Sequence, residues 1–152
     1  LLARIDREWE RLGSLLRRLT PEQMTAPLDG GWSPKDHLAH ITAWERFALH
    51  YAIGGEPEHL ALGVTPEQVE AWDIEAINAA VVEATAGHSL DETTAAFQAV
   101  HAELRAAVAA LDWAEWHGRM HVVEGYPPAP RLMWIAGNSY DHYLEHWGWL
   151  PI

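Results

Sequence analysis

The chain reads as all-α: a four-helix bundle with one further helix inserted after the second core helix. Three observations predict this class. Apolar residues recur three and four apart in five stretches, no stretch alternates polar and apolar residues over the length of a strand, and helix-start signals precede three of the five. The first stretch runs from Leu2 to Leu19, with Leu2, Ile5, Trp9, Leu12, Leu15 and Leu16 on one stripe. Thr20-Pro21 then marks a short following turn. The second opens at Ser33, a capping hydroxyl, with Pro34 at the first helical position, where a missing N–H is harmless. Gly54-Gly55 closes it. The third, the inserted helix, starts at the capping-box pattern Thr65-Pro66-Glu67-Gln68 and continues, with some irregularity, to Gly87. The fourth starts the same way at Ser89-Leu90-Asp91-Glu92, and Leu90, Phe97, Val100, Leu104, Val108 and Leu111 carry its stripe. Residues 112–130 hold Gly118, Gly125, Pro127, Pro128 and Pro130 and read as a long connection, with a local turn or short extended piece around Met120 to Val123. The last helix runs from Arg131 through His146 to Gly148.

Composition narrows the function. All 152 residues are expected to form one domain. With no cysteine, disulfides, thiolate metal sites and cysteine nucleophiles are excluded. Ten basic against 22 acidic residues give a formal charge of −12, and Lys35 is the only lysine, so the electrostatic footprint of a nucleic-acid partner is missing. No apolar run approaches the roughly 18 residues that would span a bilayer, and no signal-peptide pattern is seen. A cytoplasmic protein without a membrane partner is expected.

The chemistry lies in histidines. His142 and His146 are four apart, on one helical face, and can share a cation if a third donor comes from a neighbouring helix. His40 is the candidate donor: Trp44, Phe47, Tyr51 and His37 all lie within about 60° of it around its helix, so it sits in a core-facing aromatic stripe. Three neutral imidazoles leave positions open on a divalent ion, as in catalytic sites. His37 has a structural role available, packing on Trp32 as a helix-entry staple, and is kept out of the ligand set. His50, His59, His88, His101, His117 and His121 read as surface or loop residues, with His121 a lesser ligand candidate. Glu145, about 60° from His142 on its helix, is placed as a base or an outer hydrogen-bond acceptor. Asn78 and Asn138 are candidate polar liners of a pocket, and Trp44, Trp72 and Trp134 candidate apolar walls. Tyr140 and Tyr143 are left unassigned, with core packing as the default.

Other metal chemistries fit less well. His142-Tyr-Leu-Glu145-His146 matches the H-x-x-E-H string of inverted zinc peptidases, but six residues follow it where a downstream carboxylate ligand is needed. A di-iron bundle needs two helical Glu-x-x-His motifs, and the single one, Glu56 to His59, lies in a Gly/Pro loop. Haem held axially between histidines is a remote alternative.

Trp32-Ser33-Pro34-Lys35-Asp36, with His40 eight places after the tryptophan and Ala43-Trp44-Glu45 beyond, resembles the DinB/YfiT-like four-helix metalloproteins. Trp134-Ile-Ala-Gly-Asn138-Ser-Tyr140-Asp-His142-Tyr143-Leu-Glu145-His146 is similar to the final-helix motif of the ClbS/DfsB-type branch. Asp73 to Asn78 and His101-Ala-Glu-Leu104 resemble that branch's middle. The resemblance implies a bundle, often dimeric, with one divalent transition metal (nickel, zinc or iron) on His40, His142 and His146. It further implies a hydrolase or thiol-dependent transferase acting on a small electrophile, in detoxification or self-protection, with a small-molecule substrate, a low-molecular-weight thiol as cosubstrate, and a homodimer. The competing expectation is a non-catalytic small-molecule-binding or dimeric bundle with a structural metal or none.

Overall fold

In the computed structural model, residues 1–120 and 127–148 are described. Helix α1 spans Leu2–Leu16 and buries Ile5 and Leu12 on its predicted stripe. It ends three residues earlier than the apolar pattern, in a turn whose N–H groups bond back to Gly13, Leu15 and Leu16. Thr20 then caps α2, Pro21–Thr25, and Met24 of that short helix plugs the core.

Helix α3, Pro34–Arg46, begins where the cap predicts. The Ser33 hydroxyl accepts from the Asp36 N–H at 3.2 Å, and the Asp36 carboxylate accepts from the Ser33 N–H at 2.9 Å. Because Ser33 is almost fully buried, Ser33→Ala is expected to lower stability by about 1–2 kcal/mol, read as a melting temperature about 2–8 °C lower. The helix does not run on unchanged to Gly54. From Phe47 to Ile53 it widens into a π-helical segment, in which the Gly54 N–H reaches the Leu49 carbonyl at 3.0 Å. Arg131, far along the chain, donates to the Ala52 carbonyl at 2.8 Å.

The expected single inserted helix is several pieces. Helix α4, Glu58–Leu62, stops at Gly63, whose φ of 73° suits glycine; α5 is Pro66–Glu70; α6 is Ile74–Thr85. The break between α5 and α6 falls at Trp72, with φ 48°, and Asp73 restarts the helix by accepting from the Ala76 N–H at 3.1 Å. Together they build a second apolar cluster, Ala61, Leu62, Ile77 and Val81 against Ala43, Trp44 and Phe47 of the α3 rod.

Helix α7, Leu90–Ala110, matches its predicted span and packs along α3. In the connection lie α8, Trp113–His117, and a minimal antiparallel pair, β1 Arg119–Met120 and β2 Ala129–Pro130. The extended piece expected around Met120 is present at Met120; residues 121–123, and with them His121, fall outside the described residues.

The last helix is also two: α9, Arg131–Gly137, and α10, Tyr140–Trp147. The Asn138 amide donates to the Trp134 carbonyl at 2.7 Å and the Ser139 hydroxyl to the Ile135 carbonyl at 2.5 Å. The Ser139 hydroxyl thus takes the Ile135 carbonyl that the Ser139 N–H would use in a continuous helix, that N–H bonds to the Ala136 carbonyl instead, and the chain turns there. The main core joins Ile5 and Leu12 of α1, Leu38 and Ile41 of α3, Phe97, Leu104 and Val108 of α7, and Ile135 and Tyr143 of α9 and α10. The four-helix bundle is therefore α1, α3, α7 and α9–α10, with α4–α6 inserted. Among the described residues no helix is long and apolar enough to cross a membrane.

Candidate metal centre

Two local devices aim the histidines at one another. The Ser33–Asp36 cap sets the phase of α3 so that His37 and His40 face inward, and the restart at Ser139 sets that of α10 so that His142 and His146 face α3. His142 Nε2 lies 2.9 Å from His40 Nε2 and 3.1 Å from His146 Nε2. One ligand nitrogen from each of the three lies within 4.8 Å of the others, and all three rings are buried. His37 adds a contact the sequence did not predict: its Nδ1 is 2.9 Å from His146 Nδ1. The staple is present as well, since Trp32 packs on His37 with ring centroids 5.4 Å apart. His37 thus stands behind the trio, not apart from it.

Burial dominates the electrostatics. Loss of hydration pushes the His40 imidazolium pKa down to about 2, His146 to about 3 and His142 to about 4, each lowered further by neighbouring histidines. Burial depresses His37 too. At neutral pH the trio therefore presents lone pairs. The unfolded chain protonates the same histidines near 6.5, so as pH falls below that value the unfolded state takes up protons that the fold refuses. The expected result for metal-free protein is stability lost from about pH 6.5 down toward pH 4, at about 1.4 kcal/mol per pH unit for each histidine, measurable as falling denaturation midpoints.

The donor set suits a divalent ion. His142 Nε2 faces two other Nε2 atoms, and a single N–H can serve only one of them, whereas a cation serves all three. Two metal–nitrogen bonds of about 2.0–2.1 Å span about 2.9 Å at a right angle and about 3.4 Å at a tetrahedral one. The observed 2.9 and 3.1 Å are within reach of nitrogens that would share one such ion.

The three imidazoles line one side of a cavity of about 480 Å³. Trp32, Trp44, Leu28 and Ile74 form its apolar walls, and Asn78, Asn138 and Glu145 its polar part. Of the residues expected here, His40, His142, His146, Glu145, Asn78, Asn138 and Trp44 all arrive. Trp72 and Trp134 do not; they pack in the second apolar cluster. Trp32 takes the place expected of them.

One buried group was not foreseen. His101, expected at the surface, lies in the core with Nδ1 3.0 Å from Glu45 Oε1 and 3.2 Å from the Tyr143 hydroxyl, while that hydroxyl donates to the same Glu45 oxygen. Trp9 stacks flat on the imidazole, centroids 3.6 Å apart. Burial raises the Glu45 carboxyl pKa, opposed by His101 and Tyr143, and burial beside Glu45 raises that of the Tyr143 phenol. The signal was available: His101 comes four residues after Phe97 and three before Leu104, inside the apolar stripe of α7.

A four-helix bundle with three inward imidazoles at the floor of a cavity defines the class to which this chain should be compared. The chain belongs to the DinB superfamily, whose pattern matches residues 4–150. Comparison with curated protein sequences finds no match. Among solved structures, the colibactin self-resistance protein ClbS, seen in complex with dsDNA, is 19% identical with a TM-score of 0.77, covering 97% of this chain and 89% of its own. DfsB, described as a sibling lethal factor precursor, is 16% identical with a TM-score of 0.73, covering 98% and 89%. A histidine-to-alanine mutant of mycothiol-dependent maleylpyruvate isomerase is 18% identical with a TM-score of 0.70, covering 98% of this chain and 58% of its own. These likenesses show the fold, and they place ClbS and DfsB among this chain's structural neighbours as the sequence motifs predict.

Proposed function

We propose that this protein is a divalent-metal-dependent enzyme, of hydrolase or thiol-dependent transferase type, that acts on a small electrophilic molecule in detoxification or self-protection. The observation that carries the reading is the convergence of three neutral, buried imidazole nitrogens on the floor of a cavity open to small molecules. His40, His142 and His146 would hold the ion. Bound there, a divalent nickel, zinc or iron ion supplies Lewis-acid polarisation and lowers the pKa of a water or thiol that reaches it.

The remaining roles belong to the chain. His37 braces the outward nitrogen of His146 and so orients that ring. Trp32 and Trp44 wall the cavity against bulk water. Glu145, exposed at the cavity, accepts a proton from the attacking group. The names of the neighbours support both chemistries, self-resistance in ClbS and thiol dependence in the isomerase. The dsDNA bound to ClbS is a property of that protein; here a formal charge of −12 and a cavity lined by no lysine or arginine favour a small-molecule substrate. The homodimer and the cytoplasmic setting form part of the same proposal.

The test is purification without a histidine tag or chelator, elemental analysis, then turnover against panels of electrophiles with and without thiols. About one equivalent of a first-row metal and turnover on either panel support the proposal. Metal without turnover on any panel would favour a binding protein. Glu145→Gln should retain the metal and slow turnover by about 10²–10⁴-fold, and an unchanged rate would remove Glu145 from the mechanism.

A further inference from the structure

The two asparagines of the cavity are each held at one end, and that decides what they offer. The Trp44 indole N–H, which can only donate, gives its hydrogen to Asn78 Oδ1 at 2.9 Å. The amide is thereby oriented, and the Asn78 NH₂ is the end left to face the cavity. At Asn138 the order is reversed. Its NH₂ donates to the Trp134 carbonyl, which can only accept, so Asn138 Oδ1 is the end left over. Both residues line the cavity, and neither remaining atom is both fully buried and without a partner among the described residues. The cavity therefore presents one fixed donor and one fixed acceptor beside two indole walls. It presents no cationic side chain, and Glu145 supplies its carboxylate.

From this arrangement we infer that the substrate is a largely flat molecule carrying a carbonyl next to an N–H: an amide, lactam or urea. Its carbonyl oxygen accepts from Asn78 Nδ2, its N–H donates to Asn138 Oδ1, and its body lies against Trp32 and Trp44. A site built to satisfy both ends discriminates against a substrate lacking one of them, because the unmatched asparagine loses its water without a replacement. The inference deepens the reading of this site as an enzyme's substrate pocket and rests on it for the word substrate, while the recognition itself depends only on the asparagines.

The test uses two probes of nearly the same shape, benzamide and acetophenone. Both are neutral and both carry a carbonyl, but only benzamide has the N–H. Dissociation constants are measured by calorimetry on the protein as purified, and the Trp44 indole N–H resonance locates the bound probe. Benzamide is expected to bind about tenfold more tightly than acetophenone. Asn138→Ser, whose shorter side chain can still donate to the Trp134 carbonyl but holds its oxygen back against the helix, out of reach of the probe, should remove that preference and leave acetophenone binding unchanged. Asn78→Asp keeps the acceptor for Trp44, loses the donor, and should weaken both probes. Equal binding of the two probes by the wild type, or a preference that survives Asn138→Ser, overturns the inference. Should Asn138→Ser fail to fold, the wild-type comparison and Asn78→Asp still decide. Elemental analysis of the same samples separates the two readings: amide preference without metal sinks the catalytic proposal alone, whereas metal without amide preference sinks this inference alone.

Discussion

His40→Ala should leave the protein folded and without its divalent ion, the largest single effect expected of any substitution at the cavity floor. His40 is the only member of the trio that comes from α3, and its Nε2 lies 2.9 Å from that of His142. Without it, two imidazoles one turn apart on α10 remain, and affinity should fall by more than about a hundredfold, the equivalent of about 3 kcal/mol. His142→Ala should do the same. His37→Ala is the informative contrast: as the brace on His146 Nδ1 it should weaken binding by about 10–100-fold and leave the stoichiometry at one. Elemental analysis after dialysis, followed by titration with a competing chelator, measures all three variants. Full retention of metal by His40→Ala would end the assignment of the site, whatever the other variants do.

His101→Leu should bring the largest loss of stability. Glu45 is wholly buried, and His101 and Tyr143 supply the hydrogen bonds to its Oε1, while Oε2 has no partner among the described residues. Removing the imidazole strands a carboxyl group in the core, for which about 3–5 kcal/mol is the expected penalty. In a chain of this length that is a melting temperature lower by about 10 °C or more. The sign with pH follows from the raised carboxyl pKa. The unfolded Glu45 ionises above about 4.5 while the buried group resists, so the unfolded state releases its proton first and the loss grows as pH rises. Combining His101→Leu with Glu45→Leu should recover most of the stability, since no stranded carboxyl group remains. A double variant as unstable as the single one would show that packing against Trp9, not the hydrogen bond to Glu45, is what His101 contributes.

Local signals proved sufficient where the chain writes both a stripe and a stop. Ser33-Pro34 and Ser89 to Glu92 begin helices where the capping chemistry predicts, and Leu90 to Leu104 keep to one face of a helix that ends near its expected residue. The signals fell short where a side chain competes with the backbone ladder. Asp73, Asn138 and Ser139 each bond to main-chain atoms and interrupt stretches whose apolar spacing reads as continuous. Spacing records which face is buried and is silent about a break that keeps the face but changes the axis.

What the linear chain determined by itself was the all-α class, the order of the core helices, the exclusion of cysteine chemistry, and the pairing of His142 with His146 one turn apart, because these depend on residues within a few positions of each other. What only the tertiary structure decided was everything that needs two helices at once: His40 meeting that pair, His37 standing behind His146, Glu45 closing on His101 and Tyr143, and Asn78 and Asn138 brought to one cavity. The reason is physical. Periodicity says that a side chain faces inward, but which inward-facing groups touch depends on how the helices cross and where α10 restarts, and those are set by packing across the whole core.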